Sequence, residues 1–125
     1  MSKWTERGSL SVETIFYVII FAVTFFGAVE LGRGVIVRHA LDSGVWEAAR
    51  YLSIHPGDWT TADTIIRNSV ANSPVGGSLA SQVVITVDMP DSSFGSQFRV
   101  RAEAPFQAIV PLIGAMTPRT IYAEH

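Results

Sequence analysis

The sequence contains no cysteine. Disulfides, cysteine-ligated zinc and thiol chemistry are therefore excluded, although the compartment stays open, because an oxidising space permits disulfides without requiring them. Charge is also scarce. Asp, Glu, Lys and Arg make up 16% of the 125 residues, against a usual ~25%. The formal net charge is -2, so no basic field exists to attract nucleic acid. Internal repeats and low-complexity tails are absent, and the length suits one small domain rather than two. What the chain has in excess is apolar side chains, at 48%, and they crowd into its first quarter.

After the short polar stretch Met1 to Gly8, the sequence runs SLSVETIFYVIIFAVTFFGAVEL, with no charge from Thr14 to Val29. As a helix, the 22 residues from Leu10 to Leu31 span ~33 Å, enough for a hydrocarbon core of ~30 Å. A buried core helix is the competing reading, but a chain of this size can hardly surround so long a helix that is apolar on all sides. A cleaved signal peptide is another, but it needs a small-residue site after the apolar run. VELGRGVIVRHAL stands there instead and continues in helical register.

Beyond the span, Leu31, Val35, Arg38, Leu41, Val45, Ala48 and Leu52 recur at spacings of three and four. They predict an amphipathic continuation of the same helix to about Leu52. Gly27, Gly32 and Gly34 cluster near the membrane exit, where a bend or local melting is expected. His55-Pro56-Gly57-Asp58 ends the helix. Thr60 or Thr61 is the expected cap of a second, short helix, with Asp63 in its first turn.

Val83, Ile85 and Val87 alternate with more polar neighbours, as do Phe98, Val100 and Ala102 with Arg99, Arg101 and Glu103. Both patterns predict half-buried strands, and Thr120 to Glu124 supplies a third. The stretch Phe106 to Met116 is apolar but broken by Pro111 and Gly114. It is too short to span, and either covers the end of the sheet or lies in the lipid interface. The predicted fold is α+β, a long helix and a second short one on a small, three-stranded, mostly antiparallel sheet. The inward strand residues should face the Leu41–Val45–Leu52 side of the helix, with Trp46 and Tyr51 helping to hold helix and sheet together. In domain terms, 1–8 reads as a leader, 9–52 as the long helix with its span at 10–31, and 53–125 as an exported domain.

The junction Arg7-Gly8-Ser9-Leu10-Ser11-Val12-Glu13 sets a basic residue and a glycine directly before the apolar helix. A cut between Gly8 and Ser9 makes Glu13 the fifth residue of the product and creates a new α-amine on Ser9. Gly8 lets the chain lie extended in a peptidase groove without steric penalty. A carboxylate in hydrocarbon calls for a partner or a role, and the new amine of a neighbouring subunit is a fitting one. Alternatively Glu13 sits at the headgroup boundary, favourably placed against the helix dipole. Glu30 and Arg33, three apart on one face, are candidates for contacts at the membrane exit.

Gly8 and Glu13, with a short charged leader ahead, match the G-x-x-x-x-E processing signature of type IV-type prepilins. Val29 to Arg33 (VELGR), Arg38 to Leu41 (RHAL) and Glu47 to Tyr51 (EAARY) resemble the TadE-like proteins of tight-adherence pilus systems. The pattern of two valine-rich strands, a proline-containing apolar connection and a last strand ending in an acid, here Glu124, is similar too. The resemblance implies a minor pilin or pseudopilin, processed by a prepilin peptidase and held in the bacterial inner membrane by one pass, with its C-terminal domain outside the cytoplasm. The implied partners are that peptidase, other pilin-like subunits met through the N-terminal helix, an inner-membrane assembly platform and lipid. A membrane-retained scaffold subunit that is never polymerised is the alternative.

No catalytic, cofactor or metal site is expected. His39, His55 and His125 lack a helical i, i+4 partner and a recognisable motif. Ser9, Ser11 and Ser43 lack a nucleophile-elbow context. Asp58, Asp63, Asp88 and Asp91 fall in loops or at element ends, and Gly76-Gly77 is not followed by Lys-Ser/Thr.

Overall fold

The structure, a computed structural model, describes residues 3–91, 93, 95–108 and 120–125, with the backbone alone for 3–7. The expected roles of 109–116, as sheet cover or interfacial segment, lie outside the described residues. The elements are α1 (Lys3–Ile54), α2 (Trp59–Ala71), a short 3-10 turn (Ala80–Gln82), β1 (Val84–Asp88), β2 (Arg99–Pro105) and β3 (Thr120–Glu124). The three strands form one antiparallel sheet in the order β1-β2-β3. This is the α+β arrangement the sequence predicts.

At 52 residues, α1 is ~78 Å long. It passes unbroken through Gly27, Gly32 and Gly34, so the expected melting at the membrane exit does not occur. A glycine weakens a helix by only ~1 kcal/mol, and tertiary packing steadies the third of these. Phe106 and Ile121 lie 3.8 and 4.0 Å from where a Cβ on Gly34 would sit.

The end of α1 and the start of α2 share one device. Pro56 cannot continue the helix, and Gly57 takes the left-handed conformation with φ +91°. Asp58, not Thr60 or Thr61, caps α2. One carboxylate oxygen accepts from the Thr61 backbone N–H at 3.3 Å. The other accepts from the Thr61 hydroxyl at 2.8 Å and the Tyr51 hydroxyl at 2.7 Å. Tyr51 also stacks on His55, with ring centroids 4.6 Å apart. These bonds hold the Asp58 carboxyl below the usual carboxylate range, first through the Tyr51 hydroxyl and then through Thr61. The Tyr51 phenol is pushed up, mainly by its bond to Asp58.

The core lies between the second half of α1, the inner side of α2 and one face of the sheet. Val37, Leu41, Val45, Ala48 and Leu52 of α1 meet Ala62, Ile66 and Val70 of α2 and Val100, Ala102, Ala104, Ile121 and Ala123 of the sheet. Val83 is buried as well, and Ile85, Val87 and Phe98 pack against the cluster. The strand faces are therefore those the alternation predicts, and they meet the expected side of α1. Helix-to-helix contact is close at Gly44, where a Cβ would come within 3.1 Å of the Ile66 backbone. The Ser69 hydroxyl donates to the Ala40 carbonyl at 2.9 Å beside it.

Two expectations need correction. Leu31, Val35 and Arg38 do not continue the buried stripe; all three are exposed. The stripe runs instead through Glu30, Val37, Leu41, Val45, Ala48 and Leu52, because β3 and Phe106 approach α1 from the Gly34 side. Trp46 does not join helix to sheet either. It is exposed on the outer face of α1 with Arg50 over its ring at 5.8 Å.

Candidate functional site

The first half of α1 carries the chemistry. Every residue from Leu10 to Phe21 is exposed, and the most apolar 18-residue window, at a mean hydropathy of 2.1, has no part of it buried by the rest of the chain. This helix is long and apolar enough to cross a membrane. A soluble core helix would show the opposite, an apolar run under protein cover. Thr14 and Thr24 return their hydroxyls to the carbonyls of Leu10 and Ile20, at 2.8 Å each, so both polar groups are satisfied within the helix. Phe21, Phe25 and Phe26 form a contiguous aromatic run along it.

Gly8 and Ser9 are exposed and helical. A peptidase that needs an extended chain would first have to unwind this turn, and a glycine there lowers the energy of unwinding by ~1 kcal/mol relative to alanine. Among the described residues nothing approaches within 4 Å of the Cβ position on Gly8, which leaves the junction open. Glu13 is exposed one turn further on. Ser9 and Glu13 stand at i and i+4, on one face, and helical side chains lean toward the N-terminus. A free amine on Ser9 would therefore lie within one turn of the Glu13 carboxylate of its own chain.

Glu30 and Arg33 come together where the exposed helix becomes the covered one. Glu30 is 2% exposed, and the Arg33 guanidinium reaches both of its oxygens, at 3.0 and 3.2 Å. Arg33 in turn lies over the Phe106 ring, 5.7 Å from its centre. An i, i+3 pair free in solvent is worth only a few tenths of a kcal/mol. Burial changes that, because a carboxylate stripped of water depends on its counter-charge. Through Phe106 the pair ties the end of β2 to α1 where the apolar run ends.

Periodicity alone missed the Tyr51–Asp58 bond, the choice of Asp58 over Thr60 or Thr61 as cap, and the burial of Glu30. The Asp58 signal was present as Asp-x-x-Thr directly before an apolar-periodic stretch. The Glu30 signal lay in a rival stripe through Gly34 and Val37. Among the described residues, no group of three metal-ligating side chains occurs.

The family model for TadE-like proteins matches residues 8–50, about a third of the chain. The matched stretch opens at Gly8 and closes at Arg50, so it covers the junction, Glu13, the apolar run, the Glu30–Arg33 pair and most of the core-forming half of α1. No curated protein and no solved structure matches the chain.

Proposed function

We propose that this chain, TadE-like over residues 8–50, is a minor pilin or pseudopilin of a tight-adherence type pilus system. In this reading it is anchored in the bacterial inner membrane by the first half of α1, with the folded part outside the cytoplasm. A prepilin peptidase on the cytoplasmic face removes Met1 to Gly8, and the new amine on Ser9 pairs with Glu13. In the free subunit the pairing is within the chain, one turn apart. In an assembly it is exchanged for the Glu13 of a neighbour, which offsets the desolvation of both charges and fixes the axial register.

The observation that carries this reading is the coincidence in one exposed helix of a Gly-x-x-x-x-Glu junction, an uncovered apolar run and a match to TadE-like proteins. The alternative role, a membrane-retained scaffold of the assembly platform, uses the same anchor and differs only in whether the subunit leaves the membrane. Glu13→Ala separates them. If the subunit is polymerised through Glu13, the variant is inserted and cleaved normally, but its recovery in sheared surface pili falls while the membrane pool rises. Wild-type protein confined to the membrane pool would favour the scaffold. Normal incorporation of Glu13→Ala into pili would reject the pairing.

A further inference from the structure

Where α1 emerges from its lipid-facing half, a recess of about 280 Å³ opens between the helix and the adjoining end of the sheet. Leu31, Gly34 and Val35 form its helix wall, and Phe106, Ile121 and Tyr122 its sheet wall. Phe106 and Ile121 are buried at its floor, whereas Leu31, Val35 and Tyr122 are 66%, 67% and 55% exposed. So much uncovered apolar surface on the folded part needs a partner of matching chemistry.

We propose that this recess seats the folded part of the chain on the bilayer surface, with acyl-chain ends and the glycerol region of the lipid filling it. The inference rests on the reading of α1 as a membrane span. Three observations select lipid as the occupant. First, the recess is continuous with the uncovered apolar run, since Leu31 ends that run and Val35 stands one turn above it. Four residues correspond to ~6 Å of rise, and the headgroup layer on each side of the hydrocarbon is ~5–7 Å thick. Leu31 and Val35 are therefore held within that layer, and Tyr122 belongs to the same recess.

Second, the charges at this level are arranged for an interface. Glu30 is withdrawn from solvent and neutralised by Arg33, so no exposed carboxylate of this pair opposes immersion. Arg38 lies at the rim with two-thirds of its side chain exposed. Its guanidinium lies 3.7 Å from the exposed Asp42 carboxylate, a loose surface pair from which it can turn to the phosphates while its stem lies on the apolar wall. Third, the aromatic at the rim is a tyrosine. It stands on the outer face of β3, beside the inward Ile121 of the recess, and Arg101 covers its ring at 5.2 Å. An amphipathic ring beside cations is the side-chain combination that settles at headgroup depth. The Glu30–Arg33–Phe106 cluster then acquires a purpose, because it fixes the height and rotation of the sheet on α1 so that the recess meets the surface.

The natural absence of cysteine makes the test clean. Phe21→Cys, Val35→Cys, Tyr122→Cys and Glu47→Cys, each in the full chain, are labelled with an environment-sensitive fluorophore. They are then reconstituted in nanodiscs of phosphatidylethanolamine and phosphatidylglycerol, with bromine placed either near the headgroup or near the methyl end of the acyl chains. Seating on the bilayer predicts loss of emission at Val35 and Tyr122 with shallow bromine and little loss with deep bromine. Phe21 should lose emission most with deep bromine, and Glu47 with neither. Quenching at Phe21 without quenching at Val35 and Tyr122 overturns the proposal and leaves the span intact. If those unquenched labels also transfer energy between copies in one nanodisc, a second copy fills the recess instead. No quenching at Phe21 removes the span and this inference together.

Discussion

The two halves of α1 are one unbroken helix written for two solvents. From Leu10 to Val29 its apolar side chains are distributed all round, and the chain itself covers almost none of them. From Val37 to Leu52 the apolar side chains other than Trp46 sit mainly on one side, and the structure covers that side. Val37, Leu41, Val45, Ala48 and Leu52 are fully buried, while Arg38, His39, Glu47 and Arg50 are exposed. The same backbone thus supports a segment long and apolar enough to cross a membrane in one half and a core wall in the other, and only the angular spread of hydrophobicity tells them apart. The change falls between Glu30 and Val37. There the helix carries its one buried charge among the described residues, and its counter-charge sits three residues on.

Substitutions that treat the halves alike should therefore give unlike results. Leu41→Ala empties a fully buried site and is expected to reduce the stability of the folded part by ~2–5 kcal/mol. Phe21→Ala removes a larger side chain and should leave that stability unchanged, since Phe21 is exposed and outside the core cluster of the described residues. Denaturant titration of both variants in detergent, followed by protease resistance, makes the comparison. Equal losses would mean that the anchor half is part of the core.

A smaller effect is expected at the boundary. Arg33→Ala leaves the Glu30 carboxylate without its guanidinium. The loss should be ~2–4 kcal/mol, short of the ~3–5 for a wholly buried pair because Arg33 is itself partly solvated. Glu30→Gln combined with Arg33→Ala should recover much of it, as the unfolding midpoints of the two variants will show.

The smallest effect belongs to the turn that folds α2 back on α1. Asp58→Ala removes the cap and should lower stability by less than either of the changes above. The pH dependence has a definite sign. The Asp58 carboxyl is depressed in the folded chain, so its contribution is present above the unfolded value of ~3.9 and fades as pH falls through the lower folded value. The Tyr51 phenol is raised, so its contribution is present below ~10 and fades as pH rises through the higher folded value. Stability curves of wild type and Asp58→Ala should converge at acid pH. A constant gap down to the acid limit would show that the cap acts without its charge.

Much of this was legible in residue order. The span needed only length and missing charge. Val83–Ile85–Val87 and Phe98–Val100–Ala102 gave their inner faces through period-two alternation, because one side of the sheet meets α1 and the other meets water. On that outer side Arg99 pairs with Glu124 at 3.0 Å across the sheet. The stripe on α1 was legible from Leu41 onward and misread before it. Glu30 and Gly34 are poor markers of burial by residue type, and Leu31 and Val35 are good ones. Which pair turns inward depends on where β3 and Phe106 arrive, a fact about tertiary structure that no local pattern carries. The α2 cap was misplaced by two or three residues because Asp58, Thr60 and Thr61 are all competent caps. Only the reach from Tyr51, seven residues back, decides among them.

The most direct test of the account is the N-terminus of the protein extracted from membranes of cells with an active prepilin peptidase. Removal of Met1 to Gly8 takes away Lys3, Arg7 and Glu6, a net +1, and moves the formal charge from -2 to -3. Intact mass and N-terminal sequencing should find a chain that begins at Ser9, and Gly8→Phe should leave the uncut form in the membrane. A wild-type chain that keeps Met1 to Gly8 beside an active peptidase would contradict the pilin reading of this helix.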